Sequence, residues 1–94
     1  MAIDTTGAKI LVVDDNQKNV QVLGTILMQE KYSVAVVMSG VQVLEQAKRI
    51  KPDLILLDIM MPDVDGFEVC KRLKADPEVS AIPVIFLTAK VETD

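Results

Sequence analysis

An α/β fold on a parallel sheet is what this sequence predicts, and three observations carry the prediction. Four short runs rich in Val, Ile and Leu recur along the chain, at Lys9 to Val13, Ser33 to Val37, Asp53 to Asp58 and Val84 to Leu87. They are apolar almost throughout rather than alternating, as strands buried on both faces are. The stretches between them carry helical spacing over ten or more residues, the length of a crossover that returns the next strand parallel to the last.

The first run ends at Asp14-Asp15. Asn16 then caps a helix whose apolar positions Val20, Leu23, Ile26 and Leu27 recur at helical spacing up to Glu30, with Gln17, Lys18, Gln21 and Gln29 on the other face. After the second run, Ser39 and Gln42 have the spacing of a capping box and open a helix through Ile50, with Val43, Leu44, Ala47 and Ile50 inward. Pro52 stops that helix, and the third run again ends on an aspartate, Asp58. The segment from Ile59 to Gly66 is a loop by its Pro, Asp and Gly content. Asp65 with Glu68 starts a third helix, whose inner stripe is Phe67, Cys70 and Leu73. Pro77 and Pro83 bracket the connection to the fourth run, which ends at Thr88-Ala89.

Composition narrows the chemistry. A chain of 94 residues, half of them hydrophobic, has the size of one globular domain, read here as 1–94. A net charge of -4 offers no basic footprint for nucleic acid or an anionic membrane, and no apolar run approaches the roughly 20 residues of a bilayer span. The N-terminus lacks the layout of a signal peptide, so a cytoplasmic location is expected. There is no histidine, which removes His-based nucleophile systems and the commonest transition-metal ligand together. The single cysteine, Cys70, on the inner stripe of a helix, is a small apolar filler rather than a reactive thiol.

What remains is carboxylate chemistry. In an open parallel sheet the ligand site lies outside the carboxyl ends of the strands, where Asp14, Asp15, Asp58 and Thr88 collect. Carboxylates at about 4 Å repel by roughly 4 kcal/mol per pair at an effective dielectric near 20, so a cation belongs among them. An all-oxygen ligand set suits a hard ion such as Mg²⁺, and the neighbouring Met60 and Met61 do not make the site soft.

The order Asp14-Asp15, then Asp58-Ile59-Met60-Met61-Pro62-Asp63-Val64-Asp65-Gly66, then Thr88-Ala89 resembles the receiver domains of two-component response regulators over about Lys9 to Ala89. The resemblance implies a doubly wound, flavodoxin-like sheet of order 2-1-3-4. It implies a signalling phosphoacceptor, not a turnover enzyme, that takes a phosphoryl group on Asp58 from a histidine kinase or phosphotransfer partner. Asp14, Asp15, Asp58 and the Met60 carbonyl would hold Mg²⁺, and the Thr88 hydroxyl would meet a phosphoryl oxygen.

Receivers continue through a further helix, a strand ending in Lys-Pro and a last helix, whereas this chain stops at Asp94, so a receiver truncated after its fourth strand is expected. Lys51-Pro52 lies at the wrong end of the sheet to replace that lysine, and Lys90 lies on the tail beyond Thr88. The fourth strand would then be an edge, with apolar side chains of strands three and four bare. Self-association as a homodimer through that edge or face follows, and an assembly module without phosphotransfer is the alternative function. An aspartate-based phosphatase fits less well, because Asp63-Val64-Asp65 follows Pro62 rather than a strand. A calcium loop lacks its first acidic position and its distant Glu.

Overall fold

The structure is a computed structural model and describes residues 7–87. Four parallel strands, β1 (Lys9–Val13), β2 (Ser33–Val37), β3 (Leu54–Asp58) and β4 (Val84–Leu87), form one sheet in the order β2-β1-β3-β4. The connections carry α1 (Gln17–Gln29), a 3₁₀ turn (Gly40–Gln42) running into α2 (Val43–Ile50), and α3 (Gly66–Ala75). The doubly wound α/β class and the strand order expected from sequence are both found.

Strand alternation divides the core into two unequal layers. Leu11, Val13, Ile55 and Leu57 point to the α2 and α3 side, where they join Val37, Val43, Ala47, Met61, Val69, Leu73 and Val79 in one buried cluster. Ile10, Val12 and Leu56 point to the α1 side and form the only buried residues of that cluster, with Val20, Leu23 and Leu27 of α1 packed partly over them. No residue of α1 is itself buried. Ile26, expected inside, is about half exposed, because the inward stripe of α1 passes through Val20, Leu23 and Leu27.

The α1 face is bare at its β4 side, where Ile85 is 51% exposed, yet Leu56 of β3 is only 8% exposed. The expectation of an uncovered face therefore holds for β4 and fails for the centre of β3. Among the described residues no helix is long and apolar enough to cross a membrane.

Two helix starts differ in their capping. Asn16 accepts from the Asn19 amide at 3.1 Å, as its position predicts. Ser39 does not cap its helix: its hydroxyl donates instead to Asp63 Oδ2 at 2.7 Å, and a 3₁₀ turn precedes α2. At the far end of α2, Lys51 takes a left-handed φ of 53° ahead of the buried Pro52. This places Lys51-Pro52 before β3, opposite the strand tips that carry aspartate.

Candidate acidic site at the strand tips

The parallel ladder continues just past the strands and delivers the acidic residues together. The Asp14 amide donates to the Val37 carbonyl at 3.2 Å and the Ile59 amide to the Leu87 carbonyl at 3.3 Å, while β1 pairs with β3 up to Val13 and Leu57, so the tips of β1 and β3 emerge side by side. One carboxylate oxygen from each of Asp14, Asp15 and Asp58 lies within 4.8 Å of the others. Asp14 and Asp58 are 2% exposed, while Asp15 faces solvent.

Each buried carboxylate is oriented by its own loop. Asp14 accepts from the Asn16 backbone amide at 2.9 Å and from the Asn19 side-chain amide at 3.4 Å, tying it to the first turn of α1. Asp58 accepts from the Met60 backbone amide at 3.1 Å. The contact is made through the Met60 N–H, a different group from the carbonyl expected to hold Mg²⁺. Burial pushes the Asp58 carboxyl above the usual carboxylate range, the Met60 amide opposes this, and the charges of Asp14 and Asp15 add to the rise. Among the described residues none of the ion pairs involves these three aspartates. The cluster thus holds closely spaced negative charge with no cationic side chain of the described residues paired to it.

The loop after Asp58 is closed by Gly66. Its amide donates to the Ile59 carbonyl at 2.8 Å, and its α-carbon lies so close to the Asp58 carbonyl oxygen that a side chain there would collide with it. Asp65 caps α3, accepting from Phe67 and Glu68 amides at 2.7 and 3.2 Å. Glu68 does not complete the capping box, since its carboxylate pairs with Arg72 at 3.2 Å.

Phe67, expected on the inner stripe of α3, is exposed and rests against Phe86 with ring centroids 5.0 Å apart. Leu73 is buried as expected and Cys70 is partly buried, while Val69 takes the core place expected of Phe67. Thr88, Ala89 and Lys90 lie outside the described residues.

Sequence reasoning missed Asn19 and Gly66. Asn19 follows Asn16 by three positions and reads as an ordinary polar residue of a first helical turn. Gly66 reads as loop filler.

Asp63 carries a separate electrostatic signature. The Ser39 hydroxyl and then the Val41, Gly40 and Val64 amides hold its pKa down to about 2. A depressed folded-state pKa contributes stability that is present above the ordinary aspartate range and is lost as pH falls toward 2. Denaturant unfolding of the parent and of Asp63→Asn is therefore expected to differ at pH 5 and above and to converge between about pH 4 and pH 2. A gap that is constant across that window would contradict the assignment.

Residues 10–94 match the response regulator receiver domain family. Response regulator PleD of Caulobacter vibrioides is 51% identical over 82 residues, which are 87% of this chain and 18% of that protein. DNA-binding response regulator MtrA of Mycobacterium tuberculosis is 41% identical over 97% of this chain and 39% of its own length. The chain thus spans less than two-fifths of these curated relatives.

Among solved structures, the N-terminal domain of a response regulator receiver protein from Methanoculleus marisnigri superposes with a TM-score of 0.84 at 46% identity, over 90% of this chain and 69% of that one. The receiver domain of sensor histidine kinase PA1611 from Pseudomonas aeruginosa, with a magnesium ion coordinated in its active site cleft, gives 0.84 at 34% identity, over 90% of this chain and 70% of that one. Sheet order, acidic strand tips and these matches agree: the chain belongs to the response regulator receiver domain family of two-component signalling.

Proposed function

We propose that this chain is a Mg²⁺-dependent phosphoacceptor whose Asp58 takes a phosphoryl group from a histidine kinase or phosphotransfer protein. The observation that carries the reading is the convergence of Asp14, Asp15 and Asp58, with two of the three buried. Crowded carboxylates with no cationic side chain among their described ion pairs suit a hard divalent cation, and the donors available are all oxygen. Asp14, Asp15, Asp58 and the Met60 carbonyl are the residues that would hold it. When bound, Mg²⁺ supplies positive charge for the phosphoryl oxygens.

The protein's own contribution is placement. The Met60 amide and the packed tip of β3 fix the Asp58 carboxylate, whose oxygen forms the new bond to phosphorus as the donor's P–N bond breaks. Position 88 follows β4 directly, and its threonine hydroxyl contacts a phosphoryl oxygen in this reading. A cytoplasmic setting belongs to the same proposal.

Incubation with acetyl phosphate and Mg²⁺ is expected to add one phosphoryl group, read by intact mass, and a chelator should abolish the gain. An unmodified protein that is folded and Mg²⁺-loaded would refute the reading.

A second reading, an association module, is favoured by one observation. Among the described residues β4 has a strand neighbour on one side only, and Ile85 and Phe86 are 51% and 36% exposed on its two faces. Sedimentation equilibrium is then expected to show a dimer that Ile85→Lys weakens by on the order of tenfold, the equivalent of 1.4 kcal/mol. A monomer at high concentration would remove this reading and leave the first intact.

A further inference from the structure

The loop from Ile59 to Asp65 is tied down at both ends and at its apex. At the ends, the Met60 amide donates to Asp58 and the Gly66 amide to the Ile59 carbonyl. At the apex, the Asp63 carboxylate reaches a segment more than twenty residues away. Its Oδ2 accepts from the Ser39 hydroxyl at 2.7 Å and the Val41 amide at 3.2 Å, while Oδ1 accepts from the Gly40 amide at 3.3 Å and from Val64 at 2.9 Å.

A second feature shows that the two segments are fitted to each other. A β-carbon on Gly40 would stand 3.1 Å from the Val64 β-carbon, 3.2 Å from the Val64 carbonyl oxygen and 3.3 Å from a Val69 methyl. The 3₁₀ turn therefore packs directly on Val64 of the loop and on Val69, with no room for a side chain at position 40. The apex bonds are charge-assisted and come from two backbone amides and a hydroxyl of the other segment, a stronger anchor than a neutral turn provides. Ser39 leaves its own helix uncapped to take part.

We propose that Asp63 is a positioning residue for the Asp58 site. By pinning the apex of the loop to the turn after β2, it holds the Met60 backbone in register with the Asp58 carboxylate. The assignment rests on the phosphoacceptor reading for its purpose, though not for its geometry.

The test uses Asp63→Ala, Ser39→Ala and the double variant, at a temperature where each is folded by circular dichroism. Amide hydrogen exchange at Met60 and Gly66 is expected to accelerate by about tenfold in Asp63→Ala, and less in Ser39→Ala. The Mg²⁺ dissociation constant, read by calorimetry, should rise by about tenfold, as loss of a supporting contact around a metal site typically causes. The double variant should resemble Asp63→Ala alone, because Ser39 acts through the same carboxylate.

A lower melting temperature with parental exchange at Met60 and parental Mg²⁺ affinity would show a merely structural role and overturn the proposal. Should Asp63→Ala fail to fold, Ser39→Ala decides on the same two readouts. If the parent protein binds no Mg²⁺, the phosphoacceptor reading falls, and the exchange rates at Met60 and Gly66 alone decide whether the loop is pinned.

Discussion

Asp58→Asn is expected to reduce phosphoryl incorporation from acetyl phosphate to background and, in the same protein, to raise the stability of the metal-free fold. The first effect follows from removing the nucleophilic oxygen, since an amide cannot form the acyl phosphate. The second follows from electrostatics. Asp58 is buried beside Asp14 and near Asp15, and its carboxyl is held above the usual range, first by burial and then by those neighbours.

A folded-state pKa above the unfolded value means that ionising Asp58 costs stability. The cost is absent in acid and grows as pH rises through the raised pKa. Two unit charges about 4 Å apart repel by roughly 4 kcal/mol at an effective dielectric of 20, and relieving part of this should stabilise the variant by about 1–3 kcal/mol at neutral pH. In thermal unfolding each kcal/mol corresponds to about 4–8 °C for a domain of this size. The gain should shrink when Mg²⁺ is added, because the parent alone then recovers favourable charge pairing. A variant less stable than the parent without metal would contradict the picture of strained, crowded carboxylates.

Gly66→Ala is expected to be the most damaging single-methyl change in the chain, at about 3 kcal/mol, by the overpacking of a site that cannot give. Its β-carbon would collide with the Asp58 carbonyl oxygen and lie 2.7 Å from the Ile59 α-carbon. Both obstacles are backbone, so no rotamer change relieves them. The requirement is for space: Gly66 is not among the positive-φ glycines. Gly24→Ala is the matched control, because nothing lies within 4 Å of a β-carbon there and the site is inside α1. It should stabilise by about 0.5–1 kcal/mol through lower backbone entropy in the unfolded chain. Denaturant midpoints of the two variants on opposite sides of the parent would bear this out; two similar shifts would refute it.

Much of the fold was legible because its signals are local. The apolar runs at Ser33 to Val37 and Val84 to Leu87 coincide with β2 and β4, and Asn16 and Asp65 cap the helices they precede. The acidic cluster was legible for a different reason: parallel strands bring their carboxyl ends to one edge, so three terminal aspartates must gather. What escaped depends on contacts between distant segments.

Ser39 has the spacing of a cap, but a carboxylate on another loop competes for its hydroxyl and wins. Phe67 and Ile26 have helical spacing, yet an inward stripe has limited width, and α3 turns Val69 and Leu73 to the sheet. Gly66 differs from any other loop glycine only in what lies opposite it.

The unequal layers of the core have a bearing on the site. Asp14 and Asp58 stand at the ends of the two central strands, which contribute Leu11, Val13, Ile55 and Leu57 to the larger buried cluster, but Asp14 also leads straight into α1, which buries nothing completely. Both buried carboxylates thus rise from firmly packed strands, and the least buried wall of the pocket is the start of α1, which meets Asp14 through Asn16 and Asn19. A ligand drawn in among these carboxylates acts as a clasp on the start of that helix, and part of its binding energy goes into steadying it.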